Sequence, residues 1–133
     1  MKYIKSFFLI TDIGFILYWF VTCFHFIPKS WTFKHYDDAF MIAWNWSFFP
    51  LDILISITGL TSLYLYRRKI AAWRQLALIS LVLTFCSGLQ ALAFWIFIKD
   101  FDLVWWGFNL YLLIYPLCVM KVLFTGKYAQ KQC

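Results

Sequence analysis

The sequence predicts an all-α integral membrane protein, built as an antiparallel four-helix transmembrane bundle. Of its 133 residues, 64% are hydrophobic and only 14% are charged, whereas a soluble domain carries about 25% charged residues. Four apolar runs each reach the length of about 20 residues that a membrane-spanning helix needs. The loops between them are short, so successive helices are expected to pack as antiparallel neighbours. This composition excludes an ordinary soluble enzyme and a disordered tail.

The first two spans are bounded by proline and by basic residues. The first span is predicted at about residues 6–27, because Pro28 and Lys29 follow it. The second is predicted at about residues 40–66 and ends at a run of three basic residues, which are Arg67, Arg68 and Lys69. Pro50 lies inside the second span, where it removes a backbone donor and frees the carbonyl near Trp46. A kink is therefore expected there.

The last two spans are bounded in the same way. The third is predicted at about residues 75–98 and ends before Lys99 and Asp100. The fourth is predicted at about residues 103–124 and ends before Gly126. It contains a second proline, Pro116, which membrane helices tolerate when neighbouring groups satisfy the freed carbonyl. We expect the four spans to form a single domain over residues 1–133.

The basic residues predict the orientation of the bundle. Nine of the twelve fall on one side, in the N-terminus, the loop between the second and third spans, and the C-terminal end; they are Lys2, Lys5, Arg67, Arg68, Lys69, Arg74, Lys121, Lys127 and Lys131. The other side has Lys29, Lys34 and Lys99, together with four aspartates. Because basic residues in short loops stay in the cytoplasm, we expect a multi-pass protein of the plasma membrane with both termini cytoplasmic.

Two acidic residues lie within the spans, Asp12 and Asp52. An ionisable group at the centre of a membrane helix costs roughly 2.5–3.5 kcal/mol on insertion scales, so it is a candidate for function. Asp12 lies seven residues after Lys5 and therefore about 10 Å deep, while Asp52 lies fifteen residues from Arg67 and therefore about 22 Å from the same side. We expect Asp12 to be reachable from the cytoplasmic boundary. The offset of about 12 Å argues against a carboxylate pair.

The same measure of depth finds possible partners for Asp52. Trp19 lies about 21 Å up the first helix, Gln90 about 24 Å up the third, and Asn109 about 18 Å up the fourth. Polar groups in lipid must find partners inside the bundle. We therefore predict a central cluster in which Asp52, Gln90 and Asn109 face the interior with Trp19 against them.

Helical phase supports part of this cluster. At 100° per residue, four polar or small residues share one narrow face of the second span, namely Asn45, Asp52, Ser56 and Gly59. Ser80, Thr84 and Gly88 form a series of small residues on the third span. Small residues let membrane helices approach closely, so packing explains these two faces at least as well as ligand binding. Asp12, Asn45, Asp52 and Ser56 join Trp19, Gln90 and Asn109 as the ligand- or proton-binding candidates.

No catalytic, metal or cofactor site is predicted. The four cysteines include no CxxC pair, and His25 and His35 have no ligand spacing. The chain has no glycine-rich phosphate loop, no GxSxG elbow and no HExxH motif. The net charge of +6 collects at the ends of apolar runs, so nucleic acid is not an expected partner. The expected partner is the lipid bilayer, with another membrane protein or a second copy of the chain as further candidates.

Two blocks of the sequence resemble a known family. The stretches MKYIKSFFLITDIGFILYWF, at the N-terminus, and WNWSFFPLDILIS, from Trp44, are similar to the YvaD-like family of small four-span membrane proteins of bacilli. The resemblance implies a plasma-membrane location and no assigned activity. A remoter, architectural similarity links the chain to the EXPERA group of four-helix proteins, through the acid-bearing span before a basic loop and the stretch Tyr111–Pro116. It implies lipid binding or lipid modification.

Three functional interpretations stay open. In the first, Asp52, Gln90 and Asn109 only lock the bundle of an accessory or interaction subunit. In the second, the protein binds or transports a small molecule or cation, and Asp52 exchanges its proton for that cation. In the third, it is a lipid-modifying enzyme, for which one suitable acid is visible. A ligand-sized cavity that reaches Asp52 would weaken the first interpretation.

Overall fold

The structure is a computed structural model that describes residues 2–32 and 35–125. Within these ranges the chain forms six helices and no strand, and their bounds follow in order. They are α1 (Lys2–Phe24), α2 (Lys29–Thr32), α3 (Ala39–Ser47), α4 (Phe49–Arg67), α5 (Trp73–Phe97) and α6 (Leu103–Thr125). Lys34, Lys127 and Lys131, on which part of the charge argument rests, lie outside the described residues.

Four helical stretches are long and apolar enough to cross a membrane, which confirms the prediction to that extent. They are Tyr3–Phe24, Ala39–Arg67, Trp73–Phe97 and Leu103–Thr125. The bounds of these stretches agree with those of the predicted spans to within three residues. The first helix begins earlier than predicted, and it ends earlier because His25 adopts a positive φ of 54°, a conformation in which a helix cannot continue.

The predicted kink in the second span is present as a break between α3 and α4. Phe48 separates the two helices, and its amide bonds back to the carbonyl of Asn45 at 3.2 Å, in a tighter turn than the α-helix uses. Pro50 stands at the start of α4, where its missing amide hydrogen costs no helical bond. The break places Asp52 in the first turn of α4.

Helices pack in the order α1, α4, α5 and α6, with each contacting the next extensively. Serine hydroxyls join α4 to α5 along their length. Ser62 donates to the carbonyl of Trp73 at 3.0 Å, and Ser80 donates to that of Ile55 at 3.2 Å. These bonds satisfy polar groups that would otherwise be buried without a partner.

The small-residue faces predicted from helical phase are buried, as expected. Gly88 lies against the backbone of α6: a methyl carbon added to it would stand 2.9 Å from both the carbonyl oxygen of Asn109 and the amide nitrogen of Leu113. Real side chains essentially never come that close, so only glycine permits this approach. Close packing by small residues therefore sets the distance between α5 and α6.

The two ends of the helices differ in how they are packed. His35 and Asp100 lie 3.2 Å apart, so the α1–α3 and α5–α6 connections share one end, which we call the upper end. The opposite, lower end carries residues 68–72. In the lower half, Thr11 shares a hydrogen bond of 3.0 Å with Tyr111, and Phe7 stacks on Tyr115. These contacts close the space between α1 and α6 there.

Candidate functional site

A cavity of about 330 Å³ occupies the upper half, between α1 and α6. Its size falls at the lower end of the range for small-molecule sites, about 300–1,000 Å³. All six helices contribute to its wall. The lining residues are Gly14, Phe15, Tyr18, Trp19, Trp31, Met41, Trp44, Asn45, Phe48, Asp52, Ser87, Ala91, Trp95, Val104, Trp105, Phe108, Asn109 and Leu112.

Asp52 is the acidic group of this cavity, and its side chain is 4% exposed. Its Oδ2 accepts a hydrogen bond from the indole Nε1 of Trp19 at 2.9 Å, and its Oδ1 accepts a longer one from the Ser87 hydroxyl at 3.4 Å. An ionised carboxylate has about four acceptor positions. The two bonds therefore leave acceptor capacity for a bound molecule.

Trp19 lies against Asp52, as depth along the helix predicts. Its indole is 2% exposed and packs against Phe49 and Trp46, with ring centres 5.1 and 5.3 Å away. These neighbours hold the indole in place, so its N–H is directed at the carboxyl group without a further cost in side-chain freedom. Trp19 is a positioning residue for Asp52.

The two amide side chains of the cluster also line the cavity. Asn45 accepts a hydrogen bond from the Tyr18 hydroxyl at 3.0 Å, while its Nδ2 has no partner among the described residues. Asn109 donates to the carbonyl of Trp105 at 2.8 Å and is 7% exposed. Asn109 thus faces the interior as predicted, and it lines the same cavity as Asp52, but its amide group bonds within its own helix.

Gln90 does not belong to the site, and its predicted place in the cluster is wrong. The side chain is exposed on the outer face of α5. Gln90 was placed by its depth along the helix, without its direction around the helix axis. At 100° per residue it points about 130° away from the buried face of Thr84, Gly88 and Ala91. Ser87, one turn earlier and on the buried face, takes the position beside Asp52 that was predicted for Gln90.

Asp12 occupies a separate place, lower in the bundle, and the expectation that it is reachable from the boundary is wrong. Its side chain is 0% exposed, and neither carboxyl oxygen has a hydrogen-bond partner among the described residues. The carboxyl group rests on Gly59 of α4. Since Gly59 follows Asp52 by seven residues, about 10 Å of helix separates the two acids. This spacing agrees with the prediction that Asp12 and Asp52 do not form a carboxylate pair.

Ser56 lies between the two acids and serves the packing of α1 on α4. Its hydroxyl is within 3.0 Å of two backbone carbonyls, those of Asp12 and Asp52, and can donate to either. Ser56 is buried and is not among the described residues that line the cavity. The structure therefore gives this predicted candidate a bonding role between helices.

Half of the cavity wall is aromatic, which the sequence argument missed. Five described tryptophans line it, and the predicted cluster included only Trp19; the other four are Trp31, Trp44, Trp95 and Trp105. Trp44 stacks on Phe94 with ring centres 4.1 Å apart and meets Trp95 edge to face. Interfacial placement and cavity lining both select tryptophan, so position along the helix alone could not separate them.

The fold and cavity define a class: a helical protein with four helices long and apolar enough to cross a membrane, holding an aromatic cavity above a buried carboxyl group. Comparison with known proteins gives the family. Residues 4–130 match the model of a family of unknown function, DUF5360, and the chain belongs to this family. It is 67% identical over 132 residues to the uncharacterized protein YvaD of Bacillus subtilis (strain 168), which covers 99% of each chain.

The predicted resemblance to YvaD-like proteins is thus confirmed. No solved structure matches the chain.

Proposed function

We propose that this protein binds a small, largely apolar molecule in the upper cavity, with one polar group of that molecule against Asp52. The observation that carries the proposal is a cavity of about 330 Å³ that reaches a buried carboxyl group. A binding site of this kind combines apolar and aromatic walls with a few polar groups that fix orientation. Polar groups in this wall come from Asp52, Asn45, Asn109, Ser87 and Tyr18.

The proposed setting is the plasma membrane, in which the chain forms one antiparallel four-helix transmembrane domain with both termini in the cytoplasm. The hydrogen bonds from Ser62 to Trp73 and from Ser80 to Ile55 support the antiparallel arrangement of α4 and α5. Residue numbers rise along α5 in the direction in which they fall along α4. The distribution of basic residues gives the orientation. On this proposal the upper end faces outward, so ligand reaches the cavity from outside the cell or from the outer leaflet.

Reporter fusions test this orientation. A reporter inserted after Asp37 should lie outside the cytoplasm. A reporter inserted after Lys69 should lie inside it, because the basic loop stays in the cytoplasm. Alkaline phosphatase and green fluorescent protein, fused at each position, report the two compartments. Equal compartments for the two positions would contradict the proposed topology.

A pair of glycine substitutions tests ligand binding. A Cβ at Gly14 or at Gly107 meets no other atom within 4 Å, but Gly14 lines the cavity and Gly107 does not. Gly14→Leu should narrow the cavity and abolish binding, while Gly107→Leu should leave it intact. Neither should lower stability, because glycine inside a helix is itself unfavourable by roughly 0.5–1 kcal/mol.

The probes are 4-bromobenzyltrimethylammonium and its uncharged analogue, in which carbon replaces nitrogen. Bromine quenches tryptophan fluorescence on contact, and five tryptophans line the cavity. With the protein in lipid nanodiscs, saturable quenching by at least one probe is expected for the wild type and for Gly107→Leu. If quenching by both probes were equal in Gly14→Leu and Gly107→Leu, the cavity would not be a binding site.

An accessory or interaction subunit and a lipid-modifying enzyme are the other functions predicted from the sequence, and both stay predictions.

The accessory function is the one that the cavity bears on. It would use the outward-facing apolar side chains and would need no internal cavity. The cavity at Asp52 favours the binding function over this alternative.

A further inference from the structure

We infer that the molecule bound in the upper cavity is an organic cation, an ammonium group with apolar or aromatic substituents, whose charge is held between Asp52 and the tryptophans. This inference rests on the proposed binding function and specifies its ligand class. Three features of the described wall carry it: its charge, with one acid and no basic residue, its aromatic surface, and the opening beside Gly14.

The first feature is the charge of the wall. Asp52 is the only acid among the described residues that line the cavity, and none of these residues is Lys, Arg or His. The groups that do bond to Asp52, the Trp19 indole and the Ser87 hydroxyl, are neutral donors. A carboxylate buried in a membrane protein is costly unless a cation accompanies it. The described wall supplies none, so a bound cation would complete the site.

The second feature is the aromatic surface. Of the eighteen described residues that line the cavity, nine are Phe, Tyr or Trp. The face of an indole ring attracts a cation within about 6 Å, and the attraction grows to about 2 kcal/mol or more when water is excluded. Trp44 and Trp95 both line the cavity and meet edge to face. Such walls suit an alkylated ammonium group better than a small, strongly hydrated metal ion.

The third feature is the opening beside Gly14. This residue is exposed on α1, lines the cavity and has no atom within 4 Å of its Cβ position. An apolar substituent can therefore extend from the cavity between α1 and α6 toward the surroundings of the bundle. The ammonium group belongs either to a free organic cation or to a lipid headgroup, since both present the same chemistry to Asp52.

The test compares the charged probe with its uncharged analogue in wild type, Asp52→Asn and Asp37→Asn. Asparagine keeps hydrogen-bonding capacity at similar volume, so Asp52→Asn is expected to fold normally. Asp37→Asn is the control, because it changes the net charge by the same amount at an exposed position. We expect Asp52→Asn to weaken binding of the charged probe by about tenfold or more. The uncharged analogue should be unaffected, and Asp37→Asn should change neither probe.

The comparison keeps the two proposals separate. Unchanged binding of the uncharged analogue to Asp52→Asn shows that the variant is folded and its cavity open. If the cation then also binds Asp52→Asn as it binds the wild type, the ligand is not selected by charge, and this inference fails while the cavity remains a binding site. If Gly14→Leu changes the binding of neither probe, the proposed binding function itself is contradicted.

Nanodiscs of two compositions identify the source of the ammonium group. Phosphatidylglycerol has no ammonium group, whereas phosphatidylcholine carries a quaternary one. If a lipid headgroup is the ligand, the charged probe should bind wild type in phosphatidylglycerol but be displaced in phosphatidylcholine. Because anionic phosphatidylglycerol itself attracts cations, the quantity compared is the ratio of affinities of wild type and Asp52→Asn in each lipid. An equal ratio in both lipids would indicate a free cation. Either result supports ammonium recognition, provided that Asp52→Asn abolishes the preference for the charged probe.

Discussion

Gly88→Ala should destabilise the bundle and weaken binding in the cavity together. The added methyl group would stand 2.9 Å from the Asn109 carbonyl oxygen and from the Leu113 amide nitrogen, both of which are backbone atoms of α6. Backbone atoms cannot turn aside as a flexible side chain can, so α6 must move away from α5. Overpacking of this kind costs typically about 1–3 kcal/mol, and it should outweigh the intrinsic helical preference of alanine.

The measurement is unfolding of the detergent-solubilised protein by sodium dodecyl sulfate, followed by circular dichroism. Gly107→Ala is the matched control, because it makes the same substitution in α6, the helix that packs against α5. An added Cβ at position 107 would have no atom within 4 Å. The control should be more stable than wild type by roughly 0.5–1 kcal/mol. Because Asn109 and Leu112 line the cavity, Gly88→Ala should also lower the affinity of the bromobenzyl probes. A Gly88→Ala protein as stable as the control would contradict the close approach.

Depth and phase together account for what the sequence could predict. The four long apolar helices follow from composition and from the basic residues at their ends, and the buried faces with Asp52 and Gly88 follow from 100° periodicity. Trp19 was placed beside Asp52 by depth alone, and the 2.9 Å bond agrees. Gln90 was also placed by depth alone, and it faces outward. Depth without phase thus placed Trp19 and Asn109 correctly in the interior and failed for Gln90.

The cavity itself could not be predicted from the sequence. It arises because α1 and α6 meet in the lower half, where Thr11 contacts Tyr111, and stand apart in the upper half, beside Gly14. That divergence depends on how each helix crosses its neighbours, which several packing contacts decide together. The same reason explains why Asp12 is sealed against Gly59: the residue opposite a side chain on another helix depends on register between helices, not on either sequence alone.

Gly59→Ala should be strongly destabilising, and Asp12→Ala should reverse most of that effect. The Cβ of an alanine at position 59 would stand 2.7 Å from Cγ of Asp12 and still closer to its Oδ2. The carboxyl group is 0% exposed, so it can move aside only within the packed interior between α1 and α4. The expected loss for Gly59→Ala alone is about 1–3 kcal/mol.

Asp12→Ala alone should have a small effect, because two changes oppose each other. Removing the carboxyl group leaves a small void, which is unfavourable, but it also removes two buried oxygens that have no partner among the described residues. In the double variant the alanine methyl at position 59 occupies the space that the carboxyl group vacated. The stability lost in Gly59→Ala should therefore be largely regained.

A double-mutant cycle in the same unfolding assay measures this recovery. Residues in direct contact show coupling energies of about 0.5–3 kcal/mol, whereas separate sites add within about 0.3–0.5 kcal/mol. Asp12→Ala combined with Gly107→Ala supplies the control cycle, since the Cβ position of Gly107 has no atom within 4 Å. Coupling near zero in the Gly59 cycle would mean that the Asp12 carboxyl does not rest on α4. Strong coupling there would establish Gly59 as the residue that makes room for a buried acid between α1 and α4.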